Sequence, residues 1–414
     1  MLLLHLMFFF CPEKVRAIYV DHQLQHMSAG WGTFVQQQCQ QRHIPCIVQP
    51  VQVLSGNLEL QARQARYQAY AQHLQVNEIL VLAHHQQDQA ETLMLRLLSG
   101  AGIDGLAAMK PVDQRENLTI WRPLLDISRE QICQWAMDLN IQNIEDPTNQ
   151  DIHYDRAWAR EQLWPVLTER YPKMQNALAR SAVLMQDTQD ILQEIVQQDL
   201  KSCGTAARLD LTRLNQLSKA RQRQLLSIWM KGTAQYRPAF DMVERLQREV
   251  IAAKLDAQAA LHWQGYYYVR YQQQLYRLTA AVYQADRNAI PVEQVLQLNL
   301  AANVRLPSGS FKIQQATVGL SRDLLNRRLK LTRRQGGEKI HLHGRVGNWP
   351  LKKAIQEAQI FPWTRHTIQI LSTDNVMLGV FTPQGFWLAQ SAYCTAGGWL
   401  PILVSSTLEL NDEH

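Results

Sequence analysis

Between Val15 and Ala83 short apolar runs alternate with longer amphipathic ones, and few folds accept that pattern. Val15–Val20, Cys46–Val53 and Ile79–Ala83 are rich in β-branched residues and read as strands. Ser28–Arg42, with Ser28 as its cap, and Glu59–Leu74 read as helices between them. Strands spaced by helices of this length imply βαβ units and a parallel sheet. The strand runs lack strict alternation, as expected when helices cover both faces of a sheet. The expected fold class is therefore α/β, with a doubly wound parallel sheet. In such sheets ligands bind in the crevice outside the carboxyl ends of the strands. Two segments fall there: Asp21-His22 after the first strand and His84-His85 after the third.

The second segment carries the stronger signal. After His84-His85 a helix is expected, with Asp88 and Glu91 three positions apart near its start. Carboxylates at i and i+3 share one helix face. The pair could hold a cation, an amine or a polyphosphate–metal complex. A transition-metal site built from His84, His85, Asp88 and Glu91 is chemically reasonable, but no further ligand cluster lies nearby in sequence. Plain helix capping is the structural alternative. Magnesium prefers one or two carboxylates plus phosphate oxygens, which suits Asp88 and Glu91.

Other motifs are weaker. Gly100-Ala101-Gly102-Ile103-Asp104-Gly105 spells GxGxxG, but it follows a helix instead of a strand. A dinucleotide role is rejected on that context, and Gly100 is read as a helix stop. Glu59, Arg63 and Arg66 share a helix face. Arg63 could meet a phosphate or carboxylate with its planar fork, or simply pair within the helix. Asp155-Arg156-Ala157-Trp158-Ala159-Arg160 begins a basic helix after the polar turn Asp146-Pro147-Thr148-Asn149. Near the end of the chain Arg327, Arg328, Lys330, Arg333, Arg334, Lys352, Lys353, Trp363 and Arg365 cluster around glycines. That composition suits a nucleic-acid surface or a solvated charged face.

The 414 residues suit two or three domains, and a formal charge of +6 favours an anionic partner. The six cysteines show no CxxC pair, so reduced thiols are expected. The apolar run Met1–Cys11 has no basic n-region and is shorter than the roughly 20 residues of a membrane span, so it reads as a buried helix. No membrane association is expected. The expected boundaries are 1–204 for the α/β domain, 205–285 for a mainly helical middle domain ending in short strands, and 286–414 for a small α+β domain.

Taken together these segments resemble the tRNA(Ile)-lysidine synthetase family. The matches include Tyr19–Leu24, Glu59–Tyr67, Ala83-His84-His85 with Asp88–Thr92, Gly100–Met109, Arg122–Leu125, Asp146 with Asn149, and Arg156 with Arg160. Further on they include Arg333–Glu338, Leu351-Lys352-Lys353 and Phe361–Arg365. The resemblance implies an N-type ATP pyrophosphatase domain (adenine nucleotide α-hydrolase-like) followed by two tRNA-contacting domains. It implies a cytoplasmic ligase that uses ATP and Mg2+ to join L-lysine to C2 of the wobble cytidine of tRNA(Ile). It places Arg63 and His84 near the nucleotide phosphates, with Asp21 and His22 beside them. Asp88 and Glu91 would position magnesium or the lysine ammonium group. Arg156, Arg160, Arg333, Arg334, Lys352, Lys353 and Arg365 would contact tRNA. A homodimer stays open. The family's Ser-Gly-Gly-x-Asp-Ser loop and first strand are not in the sequence, and Met1–Leu6 looks like the helix that follows them. Gln87 stands where the family tends to carry a second aspartate, and Ala157 where an asparagine is usual. The alternatives are a related ATP pyrophosphatase that modifies another tRNA position, and a tRNA-binding remnant without catalysis.

Overall fold

The computed structural model describes residues 1–405 apart from 25–27, 55, 57, 116, 145–150, 235, 255–258, 286–289 and 375. The chain divides into two compact units, Met1–Glu194 and Ile195–His414.

In the first unit β1 (Ala17–Asp21) and β2 (Cys46–Pro50) pair in parallel, from Ala17 opposite Cys46 to Asp21 opposite Pro50. They are joined through α2 (Ser28–Gln40), in which Ser28 is the first helical residue. After α3 (Leu58–His73), β3 (Ile79–Val81) runs parallel to β5 (Leu118–Trp121), and β4 (Val112–Arg115) adds an antiparallel edge. The parallel βαβ expectation therefore holds. The hairpin of β4 and β5 was not expected, because Val112-Asp113-Gln114-Arg115 is too polar and too short to read as a strand. α1 (Leu2–Phe10) is helical as expected, but only Leu2 is buried, and Phe9 and Phe10 are exposed. Tyr67 and Tyr70 of α3, with Leu74 just after it, cover the sheet by packing on Leu80, Leu118 and Ile120.

α4 (Gln86–Leu98) is the element that carries the site, and three devices hold it. At its start the Asp88 carboxylate accepts the His85 backbone N–H at 3.0 Å, satisfying a donor at the helix end. At its end Gly100 adopts φ +73, and Ala101 N–H returns to the Arg96 carbonyl. The glycine motif thus ends the helix, as its context implied. On its flank the buried Gln89 amide donates to the Met109 carbonyl (2.7 Å) and accepts from the Met109 N–H (2.9 Å). α5 (Ile103–Leu106) lies in the loop so pinned.

α6 (Arg129–Asp138) is capped by Ser128, whose side chain accepts from Gln131 N–H. The next helical stretch starts at Asp155. It comprises α7 (Asp155–Trp158), a wide π-helical turn (Ala159–Leu163) and α8 (Trp164–Arg170). A proline inside a helix loses one N–H and presses on the carbonyl four residues back. Pro165 does this to Glu161, which sits in the wide turn. Trp164 packs with Ala90 of α4 and with Met174 of the 30-residue α9 (Met174–Cys203).

The second unit begins within α9. β6 (Arg208–Asp210), α10 (Leu211–Gln216), α11 (Lys219–Lys231) and α12 (Phe240–Arg245) precede β7 (Ala260–Trp263), β8 (Tyr266–Tyr271) and β9 (Gln274–Thr279). These strands form one sheet in the order β6-β9-β8-β7. The three-residue β6 was not expected from sequence. α13 (Ala280–Tyr283) opens the stretch read as a linker.

Beyond it β10 (Glu293–Leu296), β11 (Val304–Leu306), β12 (Gly309–Leu320), β13 (Leu329–Arg333), β14 (Lys339–Ile340), β15 (Trp349–Pro350) and α14 (Leu351–Glu357) lead to β16 (Gln369–Thr373), β17 (Val376–Thr382), β18 (Gly385–Leu388), β19 (Cys394–Ala396) and β20 (Trp399–Ser405). One sheet runs β10-β13-β16-β17-β18. Another holds β11, β12, β19 and β20. Phe311, Leu331, Leu371, Leu378 and Phe381 lie in the core of this part. No helix among the described residues is long and apolar enough to cross a membrane.

Replacing Gln89 with alanine leaves the buried Met109 N–H without its acceptor. We expect a loss of about 1–3 kcal/mol of stability, read as a lower urea midpoint at unchanged m-value.

Candidate active site

The N-terminal face of α4 carries Asp88 and Glu91. Glu91 has no exposed surface. An isolated buried carboxylate would take up a proton or destabilise the fold, so it needs a cation. Arg160, on the wide turn after α7, supplies one. Its Nε donates to Glu91 Oε1 at 2.6 Å and its Nη2 to Oε2 at 2.9 Å. The same Nη2 lies 3.5 Å from Asp88 Oδ1. Burial opposes the Arg160 charge, but the Glu91 and Asp88 carboxylates outweigh it and raise the guanidinium above its usual pKa. One turn earlier Arg156 reaches Thr92 Oγ1 at 3.4 Å and Glu59 at 3.5 Å.

Facing this is a group of cations. Arg63 and Arg115 lie 5.1 and 4.9 Å from the centroid of the Tyr67 ring. Burial, and the like charges of Arg115, Arg66 and Arg156, lower the Arg63 pKa against the pull of Tyr67. An arginine still keeps its charge near neutrality. Arg122 is almost wholly buried; it donates to the Lys110 carbonyl at 2.7 Å and lies 3.5 Å from Asp113. His84 is pushed down to about 4 by burial, with Arg122, Arg156 and Arg63 adding to it and Asp88 opposing. His22 is lowered too, by burial and then by Arg66, against Asp21. His22 Nδ1, Arg66 Nε, His84 Nδ1, His85 Nδ1 and Arg122 Nε are all buried without a hydrogen-bond partner. Partly desolvated arginines, with neutral histidines offering open nitrogens beside them, are suited to a polyanion.

The structure thus brings His22, Arg63, His84, Asp88 and Glu91 into one unit, around the carboxyl ends of β1 and β3. Asp21 Oδ1 is used to turn the chain, accepting Gln23 N–H at 2.9 Å. Asp146 and Asn149 lie outside the described residues. A resident magnesium ion fits poorly here. No group of three or more His, Cys, Asp or Glu side chains suited to a metal gathers among the described residues. Both Glu91 oxygens are bonded to Arg160, and Asp88 already serves His85 and Arg160. Arg160, expected to touch tRNA, is instead committed to an internal ion pair. Arg115 was missed from sequence because its hairpin was.

In the second unit the basic residues gather around α14. Lys352 and Lys353 are exposed in its first turn. Lys353 Nζ and Arg345 lie 5.0 and 5.4 Å from the centroid of the Trp349 ring. Arg334 pairs with Glu338 at 3.8 Å, and Glu338 accepts the Gly336 N–H at 2.7 Å. Arg365 donates to the Ile360 carbonyl at 2.9 Å, and Arg333 ends β13. Trp363, counted from sequence as a surface aromatic, is buried. It stacks on Phe361 (4.9 Å between centroids, 6° between planes) and packs against Tyr276 of β9. Trp349 is the aromatic ring that stands among cations here, and sequence reading overlooked it.

A PP-loop domain model matches residues 1–167. With the parallel sheet and the cationic crevice, it defines an ATP-using PP-loop protein. Models of the TilS substrate binding domain and the TilS substrate C-terminal domain match residues 209–276 and 329–399. The tRNA(Ile)-lysidine synthase of Acinetobacter baylyi is 61% identical over all 414 residues, 90% of its own length. Those of Escherichia coli O157:H7 and Xanthomonas campestris pv. campestris (strain 8004) are 34% and 36% identical, over 90% and 88% of this chain and 86% and 82% of theirs. The chain belongs to the tRNA(Ile)-lysidine synthase family.

His84 makes stability depend on pH. Its folded pKa of about 4 lies below the ordinary histidine value of 6.5, so the unfolded chain binds more protons in between. The stabilisation is complete above the unfolded pKa and is lost as pH falls toward 4. We expect His84→Gln to remove about 2 kcal/mol of the stability lost between about pH 7 and about pH 5, checked by urea titration at both.

Proposed function

We propose that this chain is a carbon–nitrogen ligase that joins lysine to C2 of the wobble cytidine of tRNA(Ile), using ATP. One observation carries the chemistry: an acidic helix face, Asp88 and Glu91, stands beside buried nitrogens of His22, Arg66, His84 and Arg122 that have no partner. A site of one sign would suit one substrate. Two signs side by side suit a polyphosphate and an ammonium together.

ATP binds with its phosphates toward Arg63, Arg66, His22 and His84, and Asp21 shapes the loop beside them. Mg2+ brought with the nucleotide would offset charge on its phosphates. The C2 oxygen of the cytidine attacks the α-phosphate and pyrophosphate leaves. The cationic group stabilises the charge that develops on the departing oxygens. Adenylated C2 is then electrophilic. The lysine ammonium rests against Asp88, with Glu91 locked behind it by Arg160; it releases a proton to solvent, its free ε-amine attacks C2, and AMP leaves.

The target base must be turned out of its loop, as readers of single-stranded RNA require. Arg156, Arg333, Arg334, Lys352, Lys353 and Arg365 contact the tRNA. We assign residues 1–204 to the catalytic domain, with 205–285 and 286–414 as tRNA-contacting domains. The compartment is the cytoplasm.

The test incubates this chain, and a form extended upstream with a Ser-Gly-Gly-x-Asp-Ser segment, with tRNA(Ile), ATP and labelled lysine. Label should appear in the tRNA. If neither form transfers lysine, the ligase assignment fails. In the active form, Asp88→Asn and Glu91→Gln should lower lysine transfer at least about 100-fold, or roughly 2.7 kcal/mol, and leave tRNA affinity unchanged. Weaker tRNA binding in both would overturn the roles given to them. Arg63→Ala should raise the KM for ATP and not that for lysine.

A further inference from the structure

Two carboxylates one helical turn apart can hold several kinds of cation. Which one they take depends on the charge already neutralised around them. Glu91 is buried and bonded through both oxygens to Arg160, and Asp88 Oδ1 lies 3.5 Å from the same guanidinium. Asp88 Oδ2 is turned toward the His85 N–H at 3.0 Å. Two carboxylates and one guanidinium sum to a formal charge of −1. Arg160 is held on the wide π-helical turn Ala159–Leu163, a feature that often marks functional positions.

We infer that Arg160 is the positioning residue of the amine pocket: it locks Glu91 in place, leaves one net negative charge centred on Asp88, and so selects a single primary ammonium over a divalent metal ion. This rests on the proposed ligase reading, in which the pocket receives lysine. The physical reason is charge matching in a partly dry site. One ammonium brings the pocket to neutrality, with its three donors directed at carboxylate oxygens. A magnesium ion would leave the pocket at +1, and the carboxylate oxygens it would bind are already engaged by Arg160 and the His85 N–H. Arg160 therefore keeps the metal with the nucleotide phosphates and the carboxylates with the amine.

The test compares the wild-type chain with Arg160→Gln, Glu91→Gln and the double variant Glu91→Gln/Arg160→Gln. Two probes are used: Mn2+ alone, followed by its electron spin resonance signal, and labelled lysine in equilibrium dialysis with tRNA(Ile) and a non-hydrolysable ATP analogue. Formal charges of −1, −2, 0 and −1 order the expected results. Wild type should show no Mn2+ site that depends on Asp88. Arg160→Gln should gain one, and Asp88→Asn should remove it. Glu91→Gln should weaken lysine binding about tenfold or more, and the double variant should recover most of that loss. A merely structural Arg160 would give neither a new metal site nor such a recovery.

An Asp88-dependent Mn2+ site in the wild type, or a double variant that binds lysine no better than Glu91→Gln, would overturn the assignment. If Arg160→Gln does not fold, the double variant, which buries no unpaired carboxylate, decides the matter. A wild type that binds no lysine counts against the ligase reading, while the Mn2+ arm still judges Arg160.

Discussion

Taking a carboxylate out of water is costly unless a partner offsets the loss, and Glu91 has that partner in Arg160. Much of the first unit's site depends on this pair. Both oxygens of Glu91 are held, so the first two turns of α4 are fastened to the helical stretch that begins at Asp155. Ala90, the neighbour of Glu91, packs against Trp164 on the same stretch. Ionic and apolar contacts therefore fix one face of α4, while Gln89 fixes another to Met109. Asp88 is left where the crevice opens, with its position set by partners on both sides.

The cationic side follows the opposite logic. Arg63, Arg66, Arg115 and Arg122 are brought together, with two histidines among them, although the like charges of the arginines repel. Tyr67 offers its ring to two of them, which relieves part of that cost. Burial and the surrounding arginines keep His84 neutral near physiological pH, so it can donate or accept one hydrogen bond without adding charge. An arrangement that tolerates repulsion and unpartnered nitrogens stores a capacity to bind an anion. The polar atoms of this crevice are incomplete without one.

The second unit shows how easily residue type misleads about location. The segment Phe361-Pro362-Trp363 sits amid basic residues in sequence, and its rings could serve as a stacking platform. Instead Phe361 and Trp363 stack on each other and close against Tyr271 and Tyr276 of the four-stranded sheet. They tie that sheet to the part of the chain that follows it. Trp349 stands beside Lys353 and Arg345 because β15 ends where α14 begins, a juxtaposition no short motif announces.

The sequence by itself determined the βαβ order, the start and stop of α4, the parallel pairing of its strands, and the position of Asp88, Glu91, His84 and Arg63 near strand ends. These follow from local rules: apolar period, caps, and glycine at a helix end. It missed β4, short and polar, and β6, three residues long, which gain strand character only from a partner, and with β4 it missed β5. Only the tertiary structure decided that Glu91 is buried, that Arg160 is bonded to it from 69 residues away, and that Trp363 lies in a core. Charge and aromaticity can be counted along a chain. Whether a charge meets water or a counter-ion depends on which distant segment folds against it, and that is set by packing.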